Sequence, residues 1–350
     1  MSNCNDDKRL LRKLDHIKLA LDLAEHRRLN GFEDVTLVHQ ALPELNLSQI
    51  DLSCFWLGKK LSAPILINAI TGGAECTGEI NASLARISKK FGLAMAVGSQ
   101  TAAIKDKKLA KTFKITRREN NSGVVLANIS AGAPYPEVLE AIDMIEADGV
   151  QLHLNALQES IMPEGERNFT GVINNITSIL ERSPVPVIIK EVGFGLSREA
   201  AHELSKIGIS YLDIGGYGGT NFAIIESARN STSFGQAFKN WGIPTAASLL
   251  EARSIQKPAH ITATGGIHTG VEICKALRLG ADIIGMAGFF LSCLMKNNED
   301  VLSKVINNLL NELRIAMLLI KASNLSQIRK APIVISGELQ NWVKLRQLNI

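Results

Sequence analysis

Residues 149–159 read GVQLHLNALQE and set His153, Asn155, Gln158 and Glu159 at the end of a run apolar enough for a buried strand. Such groups hydrogen-bond, titrate or hold metal, and a hydrophobic core tolerates none of them without partners. Three neutral polar groups and one carboxylate, with no Cys and no second His beside them, do not suit zinc, which takes softer ligands. They suit a hard ion such as Mg2+ shared with substrate phosphate oxygens. The plainer alternative for His153 is a structural histidine satisfied beside the core.

Other strand-like runs end in the same way. TATGGIHTG and GMAG bring Gly265, Gly266 and Gly288, which let backbone N–H groups approach an anion, and a helix starting near Thr269 would add its positive end. Tight turns that merely need glycine are the alternative. GGYGGT places Thr220 at a helix start, as a cap or as a ligand-facing hydroxyl. Lys190 closes the apolar PVIIK; burial without a partner would cost it several kcal/mol, so it meets a ligand or pairs with Glu191 or Asp213. Thr71, Gly72, Gly73, Ser99, Gln100 and Asn128 supply small donors and acceptors suited to the rim of a flat heterocycle. Arg12, Lys13 and His16 share one helical turn, either a solvated face or a second phosphate site.

What positions these groups is an eightfold repeat. PILINAITGG (64–73), LAMAVGSQ (93–100), VVLANIS (124–130) and GVQLHLN (149–155) come first. PVIIKEVGFG (186–195), YLDIGGYGGT (211–220), HITATGG (260–266) and DIIGMAG (282–288) follow. Between them lie helical stretches such as 77–92, 134–149 and 197–208, each closing on glycine. Apolar strands alternating with helices pair in parallel, and eight such units predict an α/β fold, a (β/α)8 TIM barrel. The chemistry of such a barrel sits at the C-terminal strand ends. On that reading the apolar half of GVQLHLNALQE fills the barrel and the polar half emerges at its mouth. A single domain is expected, with residues 1–63 as an N-terminal extension, 64–323 as barrel and 324–350 as a C-terminal extension. The former would carry one amphipathic helix over 11–31 and an extended lead-in, and 301–320 would form the last barrel helix.

Composition narrows the function. With 46% hydrophobic and 21% charged residues in 350, the chain can bury a large core. Its 38 basic and 34 acidic side chains balance too evenly for a nucleic-acid surface. Cys4, Cys54, Cys76, Cys274 and Cys293 are scattered, predicting neither zinc nor a disulfide framework but a cytoplasmic protein. The most apolar run, residues 283–295, is shorter than the roughly 18 residues needed to span a bilayer, so no membrane is expected.

The chain also resembles a known family, the type 2, flavin-dependent isopentenyl-diphosphate isomerases, over nearly its whole length. RKLDH (12–16), FEDVTLVHQALPEL (32–45), QLHLNALQE (151–159), PEGERNF (163–169), KEVGFG (190–195), DIGGYGGTNFA (213–223) and TGGIHTG (264–270) carry the likeness. HLNALQE followed by PEGER is its specific part. The resemblance implies interconversion of isopentenyl and dimethylallyl diphosphate on a (β/α)8 barrel with FMN and Mg2+, NADPH reducing the flavin. It implies FMN contacts at Thr71, Gly72, Ser99, Asn128, Lys190 and Thr220, and FMN phosphate at Gly265, Gly266, Ile267, Ala287 and Gly288. Substrate would meet Arg12, Lys13, His16, Ser99, Gln100, Thr101 and Gln158. Gln158, His153 and Asn155 would be catalytic, Glu159 would hold the metal, and the assembly would be a homo-oligomer, tetramer or octamer. Thr101, Asn168 and His268 stand where the family commonly has Arg, Asp and Arg. A lost phosphate-binding Arg would weaken affinity by about 1–3 kcal/mol. Two other readings compete: an FMN oxidase or dehydrogenase of 2-hydroxy acids with His268 as base, and a non-catalytic flavin- or phosphate-binding barrel.

Overall fold

Eight short, largely apolar and mostly buried runs pair in parallel and close on themselves. The computed structural model describes residues 29–229, 234–255 and 260–348. Strands β1 (Ile65–Ile67), β2 (Ala94–Ala96), β3 (Val125–Ser130) and β4 (Gly149–Leu154) are followed by β5 (Val187–Glu191), β6 (Tyr211–Asp213), β7 (His260–Thr264) and β8 (Ile283–Met286). Each pairs with the next, and β8 returns to β1 with Ile284 opposite Ile65 and Met286 opposite Ile67. The expected TIM barrel is the one that forms. The helix Thr77–Phe91 stops where predicted, on Gly92 in the left-handed region. Arg198–Lys206 starts at Ser197, whose hydroxyl accepts from the Ala200 N–H. The helix expected over 134–149 is shorter, Tyr135–Met144; Glu146 turns left-handed, and the Asp148 carboxylate is taken by Lys59 and Arg117.

The division of inside and outside corrects the sequence reading. Along β4, Val150 and Leu152 belong to the large cluster between strands and helices, with Ile129, Ile189 and Ile284. Gly149, Gln151 and His153 alternate with them and so face the barrel interior. The apolar side chains of GVQLH therefore pack outward on the helices, and the upper interior of the barrel is polar. Its lower interior is apolar: Leu66, Ala96, Leu126, Ile188 and Ile283 form one cluster with Trp56 and Leu61. These last two come from a hairpin, Cys54–Trp56 paired with Lys59–Leu61, which plugs the N-terminal end of the barrel. Burial of each such side chain contributes about 1.5–3 kcal/mol.

Two further elements were hidden in the sequence. The apolar run 283–295 splits into β8 and a separate helix, Gly288–Lys296, ahead of the last barrel helix, Glu299–Leu319. Both extensions pair with each other, Val35–Leu37 running antiparallel to Ile333–Ile335. The lead-in is extended apart from a short turn at Leu47–Gln49. The amphipathic helix expected over 11–31 falls on residues that, up to 28, lie outside the described ones; Gly31, left-handed after a buried Asn30, leads into a short turn at Phe32–Asp34. Among the described residues no helix is long and apolar enough to cross a membrane.

Candidate active site

The uppermost interior layer of the barrel is a connected set of amides around one ion pair. Asp213, at the end of β6, is wholly buried and meets Lys190 Nζ from β5 at 3.0 Å. Its Oδ2 also accepts from Asn68 Nδ2 at 2.6 Å, just past β1. Asn68 Oδ1 accepts from Gln151 Nε2 across the barrel at 3.0 Å, and Gln151 Oε1 accepts from Asn128 Nδ2 at 3.0 Å. Asn128 Oδ1 then lies 2.9 Å from His153 Nδ1 at the mouth. Burial and the neighbouring Lys190 ammonium push the His153 ring down to about 4, so it is neutral at neutral pH. Beside it, burial pushes Glu191 up to about 7, against the pull of the Phe194, Gly193 and Gly195 N–H groups and of Lys190.

After β4 the chain turns into a short helix, Ala156–Ile161, that fixes the next groups. Gln158 is buried with both ends of its amide engaged. Nε2 donates to Glu226 Oε1 at 2.6 Å, and Oε1 accepts from Asn155 Nδ2 at 2.7 Å. Glu226, wholly buried, is itself held by Arg229 at 2.8 Å, and Arg229 reaches Glu164. Asn155 Oδ1 is buried and has no partner among the described residues, an acceptor left open next to Gln158. Glu159 is half-buried and accepts from the Glu166 N–H at 2.9 Å. The PEGER segment explains itself in this loop. Arg167 donates to the carbonyls of Glu159, Ser160 and Met162, satisfying the helix end. Gly165 passes so close that a Cβ there would lie 2.0 Å from the Glu159 carbonyl oxygen.

The phosphate end is built differently from the expectation. The helix Gly270–Arg278 has its N-terminus spent: Thr269 and Glu272 form a capping box, Glu272 also takes the His268 N–H, and Glu312 takes the Gly270 N–H. The free helix end is that of Gly288–Lys296, whose N-cap residue Ala287 offers no side chain. A Cβ on Gly288 would sit 3.3 Å from Thr220 Oγ1, which brings the loops after β6 and β8 together. The Gly265 and Gly266 carbonyls are held from behind by Thr245 Oγ1 and Asn30 Nδ2, each at 2.7 Å. The N–H groups of Gly266, Ile267 and Gly288 have no acceptor among the described residues. Uncapped N–H groups, a hydroxyl and a helix N-terminus on adjoining loops fit a phosphate. Thr71, Ser99, Asn128 and Lys190 stand toward the C-terminal ends of β1, β2, β3 and β5, the Gly98 N–H bonding the Thr71 carbonyl at 2.9 Å. These small polar groups and one cation fit a flavin ring.

Comparison with known proteins decides what kind of barrel this is. The chain is 48% identical over 336 residues to the isopentenyl-diphosphate delta-isomerase of Moorella thermoacetica, covering 96% of each. It is 44% identical over 339 residues to that of Bacillus licheniformis, covering 97% of each, and 38% identical over 346 residues to that of Staphylococcus aureus, covering 99% of each. Residues 158–335 match the FMN-dependent dehydrogenase family. The chain belongs to the type 2, FMN-dependent isopentenyl-diphosphate delta-isomerases. Solved structures share the fold of this isomerase at low identity. A lactate oxidase of Pediococcus acidilactici superimposes with TM-score 0.68 at 16% identity, covering 88% of this chain and 86% of that one. A mandelate oxidase gives 0.65 at 14%, covering 92% and 100%.

Within this isomerase barrel the structure gathers His153, Asn155 and Gln158 in and around the amide layer, with Glu159 in the adjoining loop. It pairs Lys190 with Asp213, one of the two protein partners its sequence context offered. Gln100 is removed from the substrate set. It is wholly buried, with Oε1 accepting from the Asn128 N–H and Nε2 donating to the Ala141 carbonyl, so it is a strut between wall elements. Thr101 pairs its hydroxyl with Ser99 at 3.1 Å, and Asn168 accepts from the Thr170 N–H as an aspartate would. His268 stacks on Phe289 beside the phosphate-end helix. Arg12, Lys13 and His16 lie outside the described residues. Sequence reasoning missed Asn68, Gln151 and Glu226. The first two sit inside otherwise apolar strand runs, INAI and GVQLH, and that placement was the available signal. Glu226 lies within the apolar FAIIES, where a lone carboxylate gave the same kind of hint.

Proposed function

We propose that this isomerase interconverts isopentenyl and dimethylallyl diphosphate with FMN and Mg2+, the flavin being reduced by NADPH. Thr71, Ser99, Asn128 and Lys190 would hold FMN, which in reduced form would supply acid–base chemistry for moving a proton at the alkene. The reaction removes one proton from carbon and adds another with no net electron transfer. The observation that carries the reading is the Gln158 amide, locked between Glu226 and Asn155, beside an Asn155 acceptor that has no partner among the described residues.

Each residue then has a task. Lys190 places a cation against the negative charge of a reduced ring. Gln158, oriented by Glu226, positions the allylic end of the substrate, and Asn155 and His153 line its path. Among the described residues no three His, Cys, Asp or Glu side chains cluster as a metal site. Glu159, a single half-buried carboxylate, would hold a Mg2+ whose remaining ligands would be waters and diphosphate oxygens. Ser99 and Thr101 hydroxyls, with Arg12, Lys13 and His16, would hold the remaining diphosphate charge.

His268, which a hydroxy-acid oxidase would use as base, is stacked on Phe289, and this supports the isomerase reading. The four described cysteines are free, in keeping with a cytoplasmic enzyme, and the homo-oligomer implied by resemblance is checked by sedimentation. Glu159→Gln tests the assignment. It is expected to abolish metal-dependent substrate binding and leave FMN bound; parent turnover and affinity would rule out Glu159 as the metal ligand.

A further inference from the structure

We propose that Asn68 and Gln151 are positioning residues which fix the tautomer of His153, presenting its Nε2 at the barrel mouth as an unprotonated acceptor. The consequence for substrate rests on the isomerase reading above; the tautomer itself does not.

The direction of the amide chain is set at its buried end. The Ala69 N–H, which can only donate, gives to Asn68 Oδ1 at 2.8 Å. Asn68 Nδ2 must then be the end facing the Asp213 carboxylate, which can only accept. A reversed Asn68 would set oxygen against carboxylate and N–H against N–H. From this fixed point every joint has one solution. Gln151 meets Asn68 Oδ1 with its Nε2, leaving its Oε1 for Asn128 Nδ2. Asn128 Oδ1 is left facing the ring, and a carbonyl oxygen at 2.9 Å requires the proton on Nδ1. Asn68, Gln151 and Asn128 are all buried, so no bulk water is present to relax the order.

β8 makes room for this layer. A Cβ on Gly285 would lie 1.9 Å from Thr264 Oγ1 and 2.7 Å from Asn68 Nδ2. The ring stays neutral beside Lys190, so the second nitrogen has no proton of its own. Nε2 has no partner among the described residues. It therefore accepts, and the group it meets carries hydrogen: a water on the cation or a ligand N–H or O–H. An unprotonated phosphate oxygen would be repelled by its lone pair and falls to the cationic and hydroxyl donors instead.

The test is the long-range proton–nitrogen correlation of 15N-histidine in oxidised, substrate-free holoenzyme at neutral pH, with His153 assigned by its loss in His153→Gln. The Nδ1–H form is expected in the parent and in the control Thr264→Val, which touches Asn68 outside the chain. Gln151→Leu cuts the chain and is expected to shift the ring to a mixture containing Nε2–H. An Nε2–H ring in the parent, or an unchanged tautomer in Gln151→Leu, would overturn the proposal. The parent spectrum decides even if that variant does not fold. In steady state Gln151→Leu is expected to raise KM for isopentenyl diphosphate about fivefold, the worth of one neutral hydrogen bond, with a smaller change in kcat. If the parent shows Nδ1–H but turns over no isopentenyl diphosphate, the isomerase reading fails and the positioning stands.

Discussion

Replacing Lys190 by Met separates its structural pairing from its role toward a ligand. The variant leaves Asp213, wholly buried, without its counter-ion at 3.0 Å. Removing one partner of a buried pair costs about 3–5 kcal/mol, because a charge is stranded. Asp213 keeps the Asn68 amide at 2.6 Å and the Gly215 N–H at 3.3 Å, which places the expected loss near the lower end, about 3 kcal/mol. That is a large share of a typical stability of about 5–15 kcal/mol, yet leaves a folded protein. Adding Asp213→Asn removes the stranded charge while retaining an acceptor for Asn68. The double variant should recover to within about 1 kcal/mol of the parent. Urea unfolding of the three apoproteins measures this. Activity should behave otherwise: on the proposed reading both variants lose the cation that would face the reduced flavin, and both should fall at least about tenfold, or ~1.4 kcal/mol of transition-state stabilisation. A single variant as stable as the parent would refute the buried-charge argument. A double variant with full activity would refute any ligand role for Lys190.

Two more outcomes follow from the same geometry. Gly288→Val sets a branched side chain at the free helix end, beside Thr220; it should weaken FMN binding more than tenfold with unfolding free energy changed by less than about 1 kcal/mol, read by flavin fluorescence titration and urea unfolding. The His153 ring, near 4 when folded and about 6.5 when unfolded, takes up its proton less readily in the native state. Its contribution to stability is whole above pH 6.5 and is lost as pH falls toward 4, at most about 3 kcal/mol. Glu191, raised to about 7, works in the opposite direction, its contribution declining as pH rises from about 4.5 to 7. The comparison is therefore between parent and His153→Gln: the variant should have a flatter acid limb, and equal slopes would contradict the assignment.

The barrel was legible because its strands are short, mostly apolar and closed by glycine or small polar residues, and all eight predicted segments contain one strand. Which side of β4 faces inward was not. Val150 and Leu152 looked like filling, but in a barrel wrapped by helices both faces are buried, and hydrophobicity alone cannot choose between them. Gln151 and His153 held the answer, since the amides and charges needed for a ligand sit on the interior alternation. The helix Gly288–Lys296 was concealed by continuity with β8, where no polar residue marks the break. The misplaced dipole at Thr269 has a similar origin. A good N-cap followed by Glu three residues later announces a helix start, and that same capping box consumes the N–H groups an anion would need. Gln100, polar at a strand end, looked exposed, and only tertiary packing turns it into the wall.

The most direct measurement is anaerobic conversion of isopentenyl diphosphate in deuterated water by the purified protein, with FMN oxidised, reduced or removed, and with or without Mg2+. Dimethylallyl diphosphate carrying solvent deuterium is expected, formed only with reduced FMN and Mg2+ and with no net change in flavin redox state. A protein that binds no FMN, or one whose flavin is instead reduced stoichiometrically by a 2-hydroxy acid, would contradict that expectation.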